Sequence, residues 1–410
     1  MENALLEDLA GVYRDLHAHP ELSFAETRTA GIVAERLRAL GFAVTEQVGR
    51  TGVVGVLQRG TGATVLLRAD MDALPVAEQT GLPYASTVTA LRDGKDVPVM
   101  HACGHDMHVT ALLGALTALA TQDDWSGRII AVFQPAEEQG AGARAMVDDG
   151  LYDRFGTPDV VLGQHVAPLP AGAIGLRPGA SFAASDALRI TLYGRGGHGS
   201  RPEATIDPVV LAASVVLRLQ TIVSREIPGT DTAVLTIGSI HAGDAANIIP
   251  DSAELQVSIR TFDTAVRRRV LDAVERIVRG EAITAGADRA PLIEAMHSFP
   301  AVVNDPAAVE RVRGALASDL AGVMVVDPGV VTGSEDVGIL AAETGAPCVY
   351  WLLGGADPAE FAGRTTVAEL AARVIELPSN HSPLYAPVIM PTLAVGVRAL
   401  TAAARNWLTV

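Results

Sequence analysis

Lysine is almost absent from this chain: Lys95 is its single representative among 31 Lys and Arg residues. That removes most chemistry that runs through a lysine Schiff base and leaves hydrolytic and metal-based chemistry open. Cysteine is nearly as scarce. Cys103 and Cys348 are the two, one of them inside a histidine-rich run, so a stabilising disulfide is not expected and both thiols read as reduced. Basic charge is outweighed by 47 acidic residues, giving a formal net charge of −16. Nucleic acid and anionic membrane both require a basic surface, so neither is expected as a partner. The densest basic run, Arg267-Arg268-Arg269, falls inside a helical pattern and reads as a solvated helix face. No uninterrupted apolar run approaches the roughly 20 residues needed to cross a bilayer. The first residues, Met1 to Asp8, are acidic and soon amphipathic, unlike a signal peptide, so a cytoplasmic location is expected.

What is present starts with length. At 410 residues the chain exceeds the size at which a single core stops growing, which predicts two domains. The run Met100-His101-Ala102-Cys103-Gly104-His105-Asp106-Met107-His108 gathers more soft and borderline metal-ligand atoms than any other segment. A thiolate and an imidazole two positions apart reach one cation only if the backbone between them turns sharply, and Gly104 permits that.

Apolar spacing predicts a helix over 4–18, stopped by Pro20, with His17 and His19 at its end as dipole caps, and a second helix over about 24–40. Strands follow at 53–58 and 64–69, and the second runs directly into Asp70 and Asp72. Beyond an apolar helix at 110–120, a strand at 128–133 ends in Gln134-Pro135-Ala136-Glu137-Glu138, where the proline reads as a helix start. A strand at 160–162 leads to His165. In an α/β sheet the carboxyl ends of strands are where sites are built, so these acids and this histidine are placed for chemistry. His381 lies on a loop held out of helix by Pro378 and Pro383.

From Ala187 the order becomes strand, helix (205–224), strand, strand, helix, strand, the ferredoxin-like split unit. Residues 185–298 are thus expected to be an inserted α+β domain, and 1–184 with 299–410 a discontinuous α/β domain. The strand-end set Asp70, Asp72, Cys103, His105, Glu137, Glu138, His165 and His381 suits zinc, manganese, cobalt or nickel. Sulfur argues against magnesium and calcium, and the total exceeds four ligands, which predicts two metals. Metal-assisted hydrolysis needs one carboxylate on the metal and another free to take a proton from water, and adjacent glutamates supply both.

Arg68–Pro75, Met100–His108, Gln134–Glu138, Gly163–His165, Gly196-Gly197-His198-Gly199-Ser200 and His381-Ser382-Pro383 together resemble the aminoacylase, hippurate hydrolase and auxin-conjugate hydrolase family of dinuclear metallo-amidohydrolases. The resemblance spans nearly the whole chain. It implies a zinc-peptidase-like mixed-sheet catalytic domain with an inserted lid or dimerisation domain, two divalent ions (zinc or manganese, with cobalt or nickel possible), and a homodimer. It further implies that Cys103, His105, Glu138, His165 and His381 bind the metals, that Glu137 is the general base supported by Asp72, and that His198 and Asn247 stabilise the tetrahedral intermediate. Arg260 would bind the substrate carboxylate. Asp70 or Asp106 would be further contributors to the metals. The implied reaction is hydrolysis of an N-acyl amino acid. A dipeptidase or carboxypeptidase on the same site is the alternative, and a non-catalytic metal-dependent binding protein the more distant one.

Overall fold

The computed structural model describes residues 2–408, which fall into two compact units, 2–179 with 303–329 and 336–408, and 180–302 with 330–335.

The first unit is built on an eight-stranded mixed sheet. Its strands, edge to edge, are Ala43–Val48, Gly52–Arg59, Gly127–Gln134, Thr64–Asp70, Val160–Pro170, Cys348–Ala356, Ala173–Gly175 and Met324–Val326. The four central strands run parallel, with Asp70 opposite Gln134 and His165 opposite Leu352. Such strands, covered on both faces, read as near-continuous apolar runs, and Val65 to Ala69 and Ile129 to Phe133 do so. The helix His105–Thr121 is buried nearly all round, as its apolar circumference requires, and packs between the sheet and the helices Glu2–Ala18 and Thr392–Trp407.

Three local expectations are corrected. The buried helix was predicted from Thr110 but begins at His105, because left-handed Gly104 (φ 79°) ends the preceding turn and the ligand-type residues 105–108 form the first helical turn. Pro135 does not open a helix; residues 135–140 form a turn, and the next helix is Gly142–Asp148. His17 does not cap its helix but is buried between two carboxylates, described below.

The second unit carries the strands Ala184–Tyr193, Ala233–His241, Ser252–Thr261 and Leu292–Phe299, all antiparallel, in the order 233–241, 252–261, 184–193, 292–299. Alternate residues Leu188, Ile190, Leu192, Leu255, Val257 and Ile259 join a core with one stripe each of the helices Pro208–Thr221 and Thr264–Thr284. Both helices start where an aspartate caps them: Asp207 accepts from Val209 and Val210, Asp263 from Ala265 and Val266. The first was predicted from Thr205, and the cap moves its start to Pro208. The segment 330–335 groups with this unit because Val331 exchanges backbone hydrogen bonds with Ser181 and Ala183. Among the described residues one stretch, Pro208–Glu226, is long and apolar enough to cross a membrane by composition, and its buried residues Leu211, Ala212, Val215 and Leu219 cover this sheet.

Candidate metal centre

The first unit's candidate residues converge at the carboxyl ends of its parallel strands. Cys103 precedes the helix whose first residue is His105, His165 comes from the 160–170 strand, Glu137 and Glu138 from the turn after the 127–134 strand, and His381 from a loop whose own amide donates to the Ala102 carbonyl at 2.8 Å. Among the described residues five donor triads form, and two of them share Cys103. Cys103, His105 and His165 make one; Cys103, Glu138 and His381 make the other; within each, the ligand atoms lie within 4.8 Å of one another. Cys103 Sγ is 3.5 Å from His165 Nε2, and His381 Nε2 is 3.3 Å from Glu138 Oε1. Two tetrahedral ligands at roughly 2.0–2.3 Å from one ion stand about 3.3–3.7 Å apart, so these separations suit a shared cation.

The fit to a metal is tested by His105. Both of its ring nitrogens are buried without a hydrogen-bond partner, yet carboxylates surround it: Asp72 at 3.3 Å, Asp70 at 3.6 Å, Glu137 at 3.8 Å and Glu138 at 3.9 Å. Burial alone would strip a proton from this imidazole, but Asp70 and Cys103 hold its pKa well above the ordinary value. Four carboxylates within 4 Å of one buried imidazole leave the pocket short of positive charge, and a divalent ion answers that need. Burial, with Glu138 adding to it, pushes the Cys103 thiol up; Cys103 and Glu138 raise His381 to about 10.

The surrounding bonds fix ring orientations. A carbonyl can only accept, so His165 Nδ1 donates to Val166 O at 2.8 Å and Nε2 stays unprotonated in the neutral ring, facing Cys103. The Val166 amide donates to His108 Nε2 at 2.7 Å, which places the His108 proton on Nδ1, from where it donates to Asp70 at 2.5 Å. Arg68, buried on the same strand as Asp70, donates to that carboxylate at 2.8 Å. Burial works against the charge on Asp70, but Arg68, His105 and His108 hold its carboxyl well below the usual range. Asp72 accepts from Ser23 Oγ at 2.6 Å and from the amides of Glu137 and Glu138 at 3.1 and 3.0 Å.

Asp70 joins His105 and His108 in a further buried group. Asp106, the other acid expected as a possible contributor, turns away: its carboxylate is 2.6 Å from His17 Nδ1, while His17 Nε2 is 3.0 Å from Glu78. Asn380, next to His381, donates to the carbonyls of Cys103 and Val166 at 3.1 and 3.0 Å, tying the late loop to both early segments. Sequence reading missed Asn380, Arg68 and the placing of His17. Arg68 opens the motif Arg68–Pro75 that carries the resemblance but was given no role, and the signal of Asn380 was its adjacency to a candidate ligand between two prolines.

His198, Asn247 and Arg260 lie on the second unit. His198 pairs with Ile248, and the Asn247 carbonyl accepts the Gly199 amide at 2.9 Å, so these two are neighbours. The Ser200 amide donates to His198 Nδ1 at 3.1 Å, which leaves the neutral ring's proton on Nε2. Arg260 is half-buried on the 252–261 strand and donates to Ser334 Oγ.

A mixed sheet that gathers thiolate, imidazole and carboxylate donors at its parallel strand ends is the frame of a metal-dependent hydrolase. The chain belongs to the peptidase family M20/M25/M40, whose model matches residues 66–373. It is 44% identical over 279 residues to a hippurate hydrolase of Campylobacter jejuni, covering 67% of this chain and 70% of that one. It is 40% identical over 351 residues to thermostable carboxypeptidase 1 of Saccharolobus solfataricus, covering 84% of each. The crystal structure of a Bacillus subtilis protein, a dinuclear metal-binding peptidase of the M20 family, superposes with a TM-score of 0.77 at 28% identity, over 99% of this chain and all of that one. The zinc-peptidase-like mixed sheet expected from the sequence is the fold of this family.

Proposed function

We propose that this chain hydrolyses the amide bond of N-acyl amino acids, using two divalent ions held by Cys103, His105, Glu138, His165 and His381 and Glu137 as general base. The observation that carries the reading is the double membership of Cys103, whose thiol belongs to two donor triads. One thiol common to two donor sets would let these residues hold two ions close together. The donor chemistry favours zinc or manganese, with cobalt and nickel also compatible. When bound, such a pair supplies Lewis-acid polarisation of a carbonyl and acidification of water.

The residues do the remainder. Asp72 holds the backbone of both glutamates, so that Glu137 takes the proton of the attacking water and returns it to the leaving amine. His198, with its proton on Nε2, donates to the developing oxyanion, with Asn247 as its neighbour in that task. Arg260, one arm anchored by Ser334, offers its remaining donors to the substrate carboxylate. A hippurate hydrolase and a carboxypeptidase both cleave an amide whose nitrogen belongs to an amino acid with a free carboxylate, and the likeness to each supports that substrate class. The carboxypeptidase reading stands second, on the longer of the two matches.

A homodimer is supported by the edge strand Ala233–His241, which exposes Val234 and Ile240, and by Val210 and Leu217 exposed on the helix Pro208–Thr221. Two free cysteines fit a reducing, cytoplasmic setting. The test is Glu137→Gln. Turnover of N-benzoyl and N-acetyl amino acids should fall by about 100-fold or more with metal content unchanged, and unaltered turnover would sink the assignment. Aminoacyl substrates compared in the same assay separate the carboxypeptidase reading.

A further inference from the structure

Three consecutive amides, those of Ala136, Glu137 and Glu138, all donate to buried carboxylates. The last two reach Asp72. The first reaches Glu26 Oε1 at 2.8 Å, and Glu26 has no part in the function proposed above. Its position is unusual. Glu26 stands at the N-cap of the helix Thr27–Ala39 but makes no capping bond. Glu21 caps instead, accepting from the amides of Arg28 at 2.9 Å and Thr29 at 2.8 Å. The Glu26 side chain is thereby released from its own helix and turns inward to full burial, where the Thr51 hydroxyl donates to its second oxygen.

A buried carboxylate is costly unless hydrogen-bonded, and these two donors are what this one has gathered. The amide that it accepts is also the one most in need of restraint. Ala136 has a φ of 47°, in the left-handed region that alanine seldom enters. Its carbonyl closes the turn by accepting from Ala141 and Gly142, and a Cβ at Gly142 would lie 1.5 Å from Pro135 O. The turn that presents Glu137 and Glu138 is therefore strained, tightly closed and tethered at its first amide by a residue 110 positions earlier in the chain.

We propose that Glu26 is a positioning residue for the glutamate pair: by accepting the Ala136 amide it fixes the turn that aims Glu137 and Glu138. The proposal rests on the function above for what the pair does, and on the bonds alone for how the pair is held.

The test uses Glu26→Ala, Glu26→Met and Glu26→Gln in the full chain. Ala and Met remove the acceptor, and Met, close to Glu in volume, serves where the Ala variant fails to fold. In either, amide hydrogen exchange across residues 135–141 should rise about tenfold or more. In the same variants kcat for an N-benzoyl amino acid should fall about tenfold or more, with KM changed less than about threefold. Gln keeps a carbonyl acceptor and should restore both exchange protection and kcat to within about threefold of the parent. A folded Ala or Met variant with unchanged exchange and kcat overturns the proposal, and so does a Gln variant as impaired as Met. Failure of both Ala and Met to fold beside a folded Gln variant makes Glu26 a folding residue and overturns it too. If the parent chain hydrolyses no N-acyl amino acid, the functional reading falls, and the exchange measurement still decides the role of Glu26.

Discussion

His17 shows how far a residue's role can depart from its place in the sequence. Read locally it ends a helix, where a cation is favoured; in the fold it is fully buried between Asp106 and Glu78. Burial opposes its charge, but the two carboxylates raise its pKa to about 10. A pKa raised above the unfolded value contributes stability that is fully present below about pH 6.5 and disappears as pH rises through about 10. Removing one partner of a buried ion cluster costs about 3 kcal/mol, so His17→Gln should lower the unfolding free energy by that order near pH 6. The gap from the parent should close by pH 10, and denaturant melts across that range check it. Asp72→Asn keeps the volume but loses one of two acceptor oxygens shared by Ser23 and the glutamate amides; metal affinity or kcat should drop about 10–100-fold, read by metal titration and assay. The ligand-type residues themselves were legible because few functions require Cys, His and paired Glu at strand ends. The residues that hold them were less so: Glu26 looks like any acid, and Arg68, though it opens a matching motif, shows no role until its long-range partners Gln134 and Asp336 are known.

At the scale of elements, the helix His105–Thr121 and the turn ahead of it decide the site. Gly104 combines a φ of 79° with a Cβ position 2.4 Å from Val166 Cγ1, so a side chain there meets both backbone strain and a clash. Gly104→Ala should cost about 2–4 kcal/mol, the sum expected from left-handed strain and overpacking, and should weaken metal binding with it. Thermal melts with and without added metal measure both effects. Helices with an apolar stripe and strands with uniform or alternating burial were readable from periodicity. The turn at 135–141 was not, since a proline followed by glutamates also describes a helix start, and only the tethers from Asp72 and Glu26 distinguish the two. The same holds for the start of the second unit's first helix, which its aspartate cap shifted by three residues.

On the scale of the molecule, two units with separate cores were foreseeable from length and from the change of strand and helix order near Ala187, whereas the return of 330–335 to the second unit depends on backbone pairing that no local pattern announces. The proposed ligands come from four well-separated parts of the sequence, so ions bound to the native fold alone should stabilise it. An ion at 100 times its Kd contributes about 2.7 kcal/mol, so a strong chelator should lower Tm by about 3 °C per ion, or about 6 °C for two, in a chain of this size, reversed when metal is returned. On the second unit, Leu217→Glu places a charge on the exposed face proposed to pair two chains; mass in solution should then change from dimer to monomer.

Asn380 gives the molecule a timetable. Its amide closes the late loop onto Cys103 from 277 residues downstream. At about 5–20 residues per second on the ribosome, roughly 14–55 s separate the synthesis of these two residues. For that interval the growing chain carries a thiol and histidines whose final partners do not yet exist. The proposed hydrolytic centre is therefore incomplete until His381 has been made, and a shorter nascent chain cannot turn it on its surroundings.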